Sequence, residues 1–292
     1  MRQENGQLPT NVAEIQPTEK TRAKDIAQYG IATIDKDANV YQALALMVRK
    51  NISGLPVVDK TGLAGIISEK DVLKLIYDSE FVAGSVADYM TTDLVSFDEE
   101  DCISDICECL TTRGFRRVPI TQQGRLAAII SRADLIRVNL HKFAPPNPAR
   151  NSKTSNGRPT AKDVMKSGLA IVKKQTSLYE AMNLLATKNI TGLPVVDDYM
   201  NLVGILSEKD MLKLLYTPNA KPGFVGDYMT KQIVSFEKDT SLFVICHCMI
   251  NNNFRRVPIL ESGRLIGLIS RADIIAYILK NHTSFFKQKN LD

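Results

Sequence analysis

The sequence contains no tryptophan and only three histidines. His141, His247 and His282 share no repeated surroundings, and no nucleophile stands in a pattern with a base. G-x-x-x-x-G-K-[ST], G-x-G-x-x-G and G-x-S-x-G are all missing. Their absence removes a P-loop, a dinucleotide-binding turn and a nucleophile elbow. No stretch approaches the ~18 uninterrupted apolar residues of a membrane-spanning helix. The first twenty residues lack the apolar centre of a secretory signal. From these absences we expect a cytoplasmic chain, with residues 1–20 disordered, no membrane association and no catalytic activity.

What is present is ordinary for a globular protein: 292 residues, 44% hydrophobic and 24% charged. That length suits about two domains at ~150 residues each. The formal net charge is only +5. Arg150, Lys153, Arg158, Lys162, Lys166, Lys173 and Lys174 crowd the middle of the chain, partly in a Pro/Asn/Ser-rich stretch without interleaved aromatics. We read this stretch as a solvated linker and do not expect a nucleic-acid partner. Cys102, Cys107, Cys109, Cys246 and Cys248 make an odd count. Cys107/Cys109 and Cys246/Cys248 fall in predicted helices, where residues two apart point ~200° apart and cannot chelate together. We take them as small buried apolar residues in a reducing compartment, and expect no metal.

The main fact is an internal repeat. ISGLPVVD from Ile52 returns as ITGLPVVD from Ile190, and GIISEKDVLK from Gly65 as GILSEKDMLK from Gly204. FRRVPI occurs from Phe115 and again from Phe254; AIISRADLIR from Ala128 matches GLISRADIIA from Gly267. Pro56 and Pro194 are 138 residues apart, whereas Pro56 and Pro119 are 63 apart. The chain is therefore four units in the order A, B, A′, B′. One extra residue lies in the A′ turn after Asp197.

In unit A, residues 23–27 predict a helical turn and 31–34 a strand. Asn39 caps a helix reaching about Asn51, with Val40, Ala43, Leu44 and Met47 on one face. Residues 54–58 and 63–68 predict two strands, and 69–77 a closing helix. Pro56 implies an edge or a strand start. The other units repeat this β-α-β-β-α order. The fold class is α/β (α+β), built from paired units, since ~55 residues bury too little surface alone. We expect a first module at 21–142 (units 21–78 and 84–142), a linker at 143–159, a second module at 160–282 (units 160–217 and 225–282) and a tail at 283–292.

Ser-x-x-Asp follows a strand and opens a helix four times: Ser68/Asp71, Ser131/Asp134, Ser207/Asp210 and Ser270/Asp273. Helix N-termini suit phosphate, and a first-turn carboxylate can accept from a ribose 2′,3′-diol. The same pattern is close to a helix capping box. Two features favour ligand binding: the acid is always Asp, and it always neighbours the same strand. Arg116–Arg117 and Arg255–Arg256 precede the strand in the B units only. Arginine suits bidentate phosphate contact, but strand alternation sends adjacent residues to opposite sides. The A units carry Asn51 and Asn189 there, with Lys50 and Lys188 nearby.

The h-x-x-h-P-V-V element followed by G-h-h-S-x-x-D and a helix resembles the CBS domain, a family named after cystathionine β-synthase. Four such units cover about residues 23–281. Their number and order resemble the gamma regulatory subunits of AMP-activated protein kinases. The resemblance implies pairing into two Bateman modules packed as a flat disc. It implies that Asp71, Asp134, Asp210 and Asp273 bind ribose, with Ser68, Ser131, Ser207 and Ser270 beside them. It further implies that Arg116, Arg117, Arg255 and Arg256 bind phosphate, and that Ile52, Phe115, Ile190 and Phe254 lie near the base. Asn51 and Asn189 depart from the family's Arg, and Phe115 and Phe254 are bulky, which leaves two well-formed sites. The expected role is a non-catalytic energy or nucleotide sensor. It would bind AMP, ADP or ATP, need no cofactor, act on a separate effector protein, and form an intramolecular disc or a homodimer. The alternatives are an interaction scaffold without nucleotide and a sensor of cyclic di-AMP or S-adenosylmethionine.

Overall fold

The computed structural model describes residues 20–78, 84–144, 158–212 and 223–281. The bulk of the expected linker, most of residues 1–20, the tail, Arg150, Lys153 and His282 lie outside the described residues.

Unit A runs α1 (Ala23–Ile26), β1 (Gln28–Tyr29), β2 (Ile34–Asp35), α2 (Val40–Lys50), β3 (Gly54–Asp59), β4 (Gly62–Ser68) and α3 (Glu69–Asp78). Asn39 accepts from the Tyr41 amide and opens α2, and Asn51 closes it in the left-handed region at φ 54°. Val40, Ala43, Leu44 and Met47 are all buried on one face, as their spacing predicts. Unit B, after a 3-10 turn at Val86–Asp88, has β5 (Phe97–Asp98), α4 (Ile103–Thr112), β6 (Arg117–Gln122), β7 (Arg125–Ser131) and α5 (Arg132–Asn139). Unit A′ has α6 (Ala161–Val164), α7 (Leu178–Thr187), β8 (Gly192–Val196), β9 (Leu202–Ser207) and α8 (Glu208–Leu212). Unit B′ has α9 (Val225–Tyr228), β10 (Phe236–Glu237), α10 (Leu242–Asn251), β11 (Arg256–Glu261), β12 (Arg264–Ser270) and α11 (Arg271–Asn281). The α/β class and the Bateman layout follow the sequence reading.

Three expectations change. The first strand is shorter than 31–34: only Ile34–Asp35 pairs, in parallel with Val57 and Val58. Pro56 is neither at an edge nor at a strand start, because β3 lies between β2 and β4. Its partner across β4 is Ile66, whose amide and carbonyl both bond to Thr91 on the far side. The Pro56 nitrogen therefore also points away from β4, towards β2. There the pairing begins only at Val57, so no hydrogen bond is lost.

The third change concerns the leading turns. The 23–27 turn is helical, but it packs on unit B: β1 pairs with β7, and Ala23 and Ile26 are buried in the B core. The turn before B reciprocates, with Val86 in the A core and Thr91 bridged to Ile66. The second half repeats the exchange through Ala161, Val164 and Val225. Each unit thus completes its neighbour, which welds A to B.

The apolar cores run the other way. One core joins B with B′ through Ile106, Leu110 and Ile136 against Ile245, Met249 and Ile275. The other joins A with A′ through Leu44, Met47 and Leu73 against Ala181, Leu185 and Met211. Helices α3 and α8 meet in one, α5 and α11 in the other. Cys107 and Cys246 are buried in the B/B′ core, whereas Cys102, Cys109 and Cys248 are only partly buried. Burial pushes the Cys107 and Cys246 thiols up to about 12. No helix among the described residues is long and apolar enough to cross a membrane.

Candidate functional site

Each Ser-x-x-Asp pair closes on itself. The Asp Oδ2 accepts from the Ser amide at 2.8–3.0 Å and from the Ser hydroxyl at 2.5–2.6 Å in all four units. That half of each carboxylate serves the helix start. The other oxygen differs between units. Asp134 Oδ1 accepts from Arg137 Nη1 at 2.7 Å, and Asp210 Oδ1 from the Thr230 hydroxyl at 3.1 Å. Asp273 Oδ1 lies 2.8 Å from Lys166 Nζ, out of line for a hydrogen bond.

The paired arginines split as strand alternation requires. Arg117 and Arg256 turn back into their own modules, donating to the carbonyls of Gly54 and Gly192, each at 2.9 Å. Arg117 also donates to the Ser53 hydroxyl. Arg116 and Arg255 cross to the other module. Arg255 grips Glu69 with two bonds of 2.8 and 3.2 Å. Arg116 sits 3.6 Å from Glu208, and neither its Nη1 nor the Glu208 Oε2 makes a hydrogen bond. Burial holds Glu208 above the usual carboxylate range, and the nearby Arg116 pulls against it. Burial, helped by neighbouring arginines, lowers Arg117 to about 10; burial and Arg255 lower Arg271 to about 10. All remain cationic at neutral pH, held with little water and much like charge.

A cavity of about 1050 Å³ opens between the four units. Eleven Lys and Arg side chains line it against two aspartates, Asp134 and Asp273. The structure brings Ser131, Asp134, Ser270, Asp273, both arginine pairs, Ile52 and Ile190 to this one space. Ser68, Asp71, Ser207 and Asp210 are not among its lining residues, and neither are Phe115 and Phe254. The two phenylalanines pack on the B/B′ core instead. The site therefore takes its carboxylates from the B units, while apolar residues of all four units, such as Ile52, Ile129, Ile190 and Leu268, line it.

Several contributors were missed. Arg132 and Arg271, just after each B-unit Ser, line the cavity and donate to the C-terminal carbonyls Leu110 and Met249 of α4 and α10. The A units have Glu69 and Glu208 at that position, and these are the partners of Arg255 and Arg116. The signal was in the sequence as S-E-K-D against S-R-A-D, twice over. Lys70 and Lys209 reach across the modules to Asn189 and Asn51. Asn51 and Asn189, where the family's Arg was expected, are thus left-handed helix ends that tie the two halves together.

Comparison with known proteins accords with this architecture. The family model for the CBS domain matches residues 23–78, 86–141, 161–217 and 225–280. An uncharacterized protein of Methanocaldococcus jannaschii, MJ1225, is 28% identical over 195 residues, which is 65% of this chain and 68% of that protein. Its crystal structure, described as that of a candidate archaeal homologue of g-AMPK, superposes with a TM-score of 0.76 at 20% identity. That match covers 88% of this chain and all of the other. An uncharacterized conserved protein of Pyrococcus horikoshii has a TM-score of 0.59 at 24% identity, again over 88% of this chain and all of its own. With four matched segments spanning most of its length, the chain belongs to the CBS domain family.

Proposed function

We propose that the chain is a non-catalytic regulatory protein that binds adenine nucleotides in the cavity between its modules and signals to a separate effector in the cytoplasm. The observation that carries this reading is the cavity itself, with eleven cations, two first-turn aspartates and the apolar residues Ile52 and Ile190 lining one space. Crowded cations, among them the buried Arg117, Arg256 and Arg271, favour a multiply charged anion. Asp134 and Asp273 supply acceptors for a ribose diol, and Ile52 and Ile190 supply apolar faces for a base. Arg116, Arg117, Arg255 and Arg256 stand where phosphates would converge. Because the lining residues come from both halves, a ligand there favours one arrangement of the modules over others. Ser68/Asp71 and Ser207/Asp210 serve as helix starts under this reading, and the disc forms within one chain.

A second reading also has an observation behind it. All four Asp residues are engaged by their Ser partners, as in simple caps. The chain would then be a scaffold without nucleotide. Calorimetric titration with AMP, ADP, ATP, cyclic di-AMP and S-adenosylmethionine separates the two. The sensor reading expects micromolar binding of a phosphate-bearing adenine nucleotide, lost at least tenfold in Asp273→Ala while the fold persists. Silence from all five ligands would leave the scaffold. In that case Asp273→Ala should lower stability by about 0.5–2 kcal/mol, the usual cost of losing a cap.

A further inference from the structure

The two aspartate-bearing helices that face the cavity differ at a telling place. Residues 131–137 read SRADLIR, and 270–276 read SRADIIA. Arg137 stands where the second half has Ala276. Its Nη1 donates to Asp134 Oδ1 at 2.7 Å, from one turn along the same helix. Both oxygens of Asp134 are therefore engaged, one by Ser131 and one by Arg137. Asp273 lines the cavity and is only 8% exposed, and its buried Oδ1 makes no aligned hydrogen bond. The nearest cation is Lys166, whose side chain is 75% exposed and comes from the loop after α6. An exposed lysine on a flexible stem is easily displaced. An arginine anchored on the same helix, donating an aligned bond, is not.

We propose that Arg137 masks Asp134 and makes the two nucleoside seats unequal. This rests on the adenine-nucleotide reading above and deepens it. The Asp273 seat accepts a ribose diol by displacing only the exposed Lys166, so it takes a nucleoside with or without phosphate. The Asp134 seat accepts one only when an anionic group on the ligand draws Arg137 off the carboxylate. Arg137 is then a specificity-determining residue: it makes one seat demand a nucleotide.

The test is calorimetric titration of the full chain with adenosine and, separately, with AMP. Asp134→Ala and Asp273→Ala assign each seat. The wild type should bind one equivalent of adenosine, lost in Asp273→Ala, and two of AMP. Arg137→Ala should open the Asp134 seat to adenosine, tightening it about threefold to tenfold, the worth of a partly exposed ion pair. Ala276→Arg should impose the phosphate requirement on the other seat and abolish adenosine binding. If Arg137→Ala leaves adenosine binding unchanged, Arg137 is not a mask and the proposal falls while the nucleotide reading stands. If neither ligand binds any variant, both fall together.

Discussion

Gly65 and Gly267 show how small a residue can decide the packing. A Cβ at Gly65 would meet Met90 Sδ at 2.5 Å and the Thr91 carbonyl at 2.9 Å; at Gly267 it would meet Met165 Sδ at 2.6 Å. Unit B has Ala128 instead, and Ala27 stands in the place of Met165. Where the strand gains a methyl, the swapped turn exchanges a long methionine for alanine. Gly65→Ala should cost about 1–3 kcal/mol in denaturant unfolding, because the bridged backbone cannot retreat. Cys246 offers a pH test at the same scale. Burial pushes its thiol up from 9.0 to about 12 in the folded state. The folded state thus holds the proton that the unfolded chain releases. Stability is complete below pH 9 and declines as pH climbs towards 12, by about 1.4 kcal/mol per unit for one thiol. Cys246→Ala should be less stable at pH 7 but lose less between pH 9 and 10.5. An unchanged alkaline slope would contradict the burial of this thiol.

At the scale of elements, the helices were the most legible part. Asn39 and the Val40-Ala43-Leu44-Met47 face define α2 locally, and the structure agrees with both. Asn39→Ala should cost about 0.5–2 kcal/mol, read as a lower thermal midpoint, since the Tyr41 amide would lose its acceptor. The strands were less legible. Pro56 signals an edge by local rules, yet it lies in a central strand, because the missing N–H falls beyond the end of two-residue β2. The leading turns were harder still. AKDI at 23–26 reads as a helical turn, but nothing in those residues says that Ala23 and Ile26 belong to the B core. That follows from which sheet edge the turn meets, which is a tertiary fact.

At the scale of the molecule, the swapped turns hold A to B, while apolar cores hold A to A′ and B to B′. Charge adds a second link between the modules, and an uneven one. Arg255–Glu69 is bidentate; Arg116–Glu208 is 3.6 Å apart and unbonded. Double-mutant cycles with alanine should give a coupling of about 1–2 kcal/mol for the first pair, discounted because Arg255 is partly exposed, and under ~0.5 kcal/mol for the second. Equal couplings would show that the unequal geometry has no energetic weight. Added polyphosphate should weaken the Arg116–Glu208 coupling further if that arginine turns to the ligand.

The sequence by itself determined the four units, their order, the α/β class and the positions of the helix starts, because periodicity, caps and turn residues act within a few residues of each other. It also exposed the Ser-x-x-Asp pattern and the arginine pairs. It did not reveal which of these meet. Only the tertiary structure decided that Asp134, Asp273, Ile52 and Ile190 share a cavity while Asp71, Asp210, Phe115 and Phe254 stay out of it. Likewise, Glu69 answers Arg255 from 186 residues away. Equivalent residues in a repeat have the same local environment but different neighbours. Their roles diverge only when the units pack against one another.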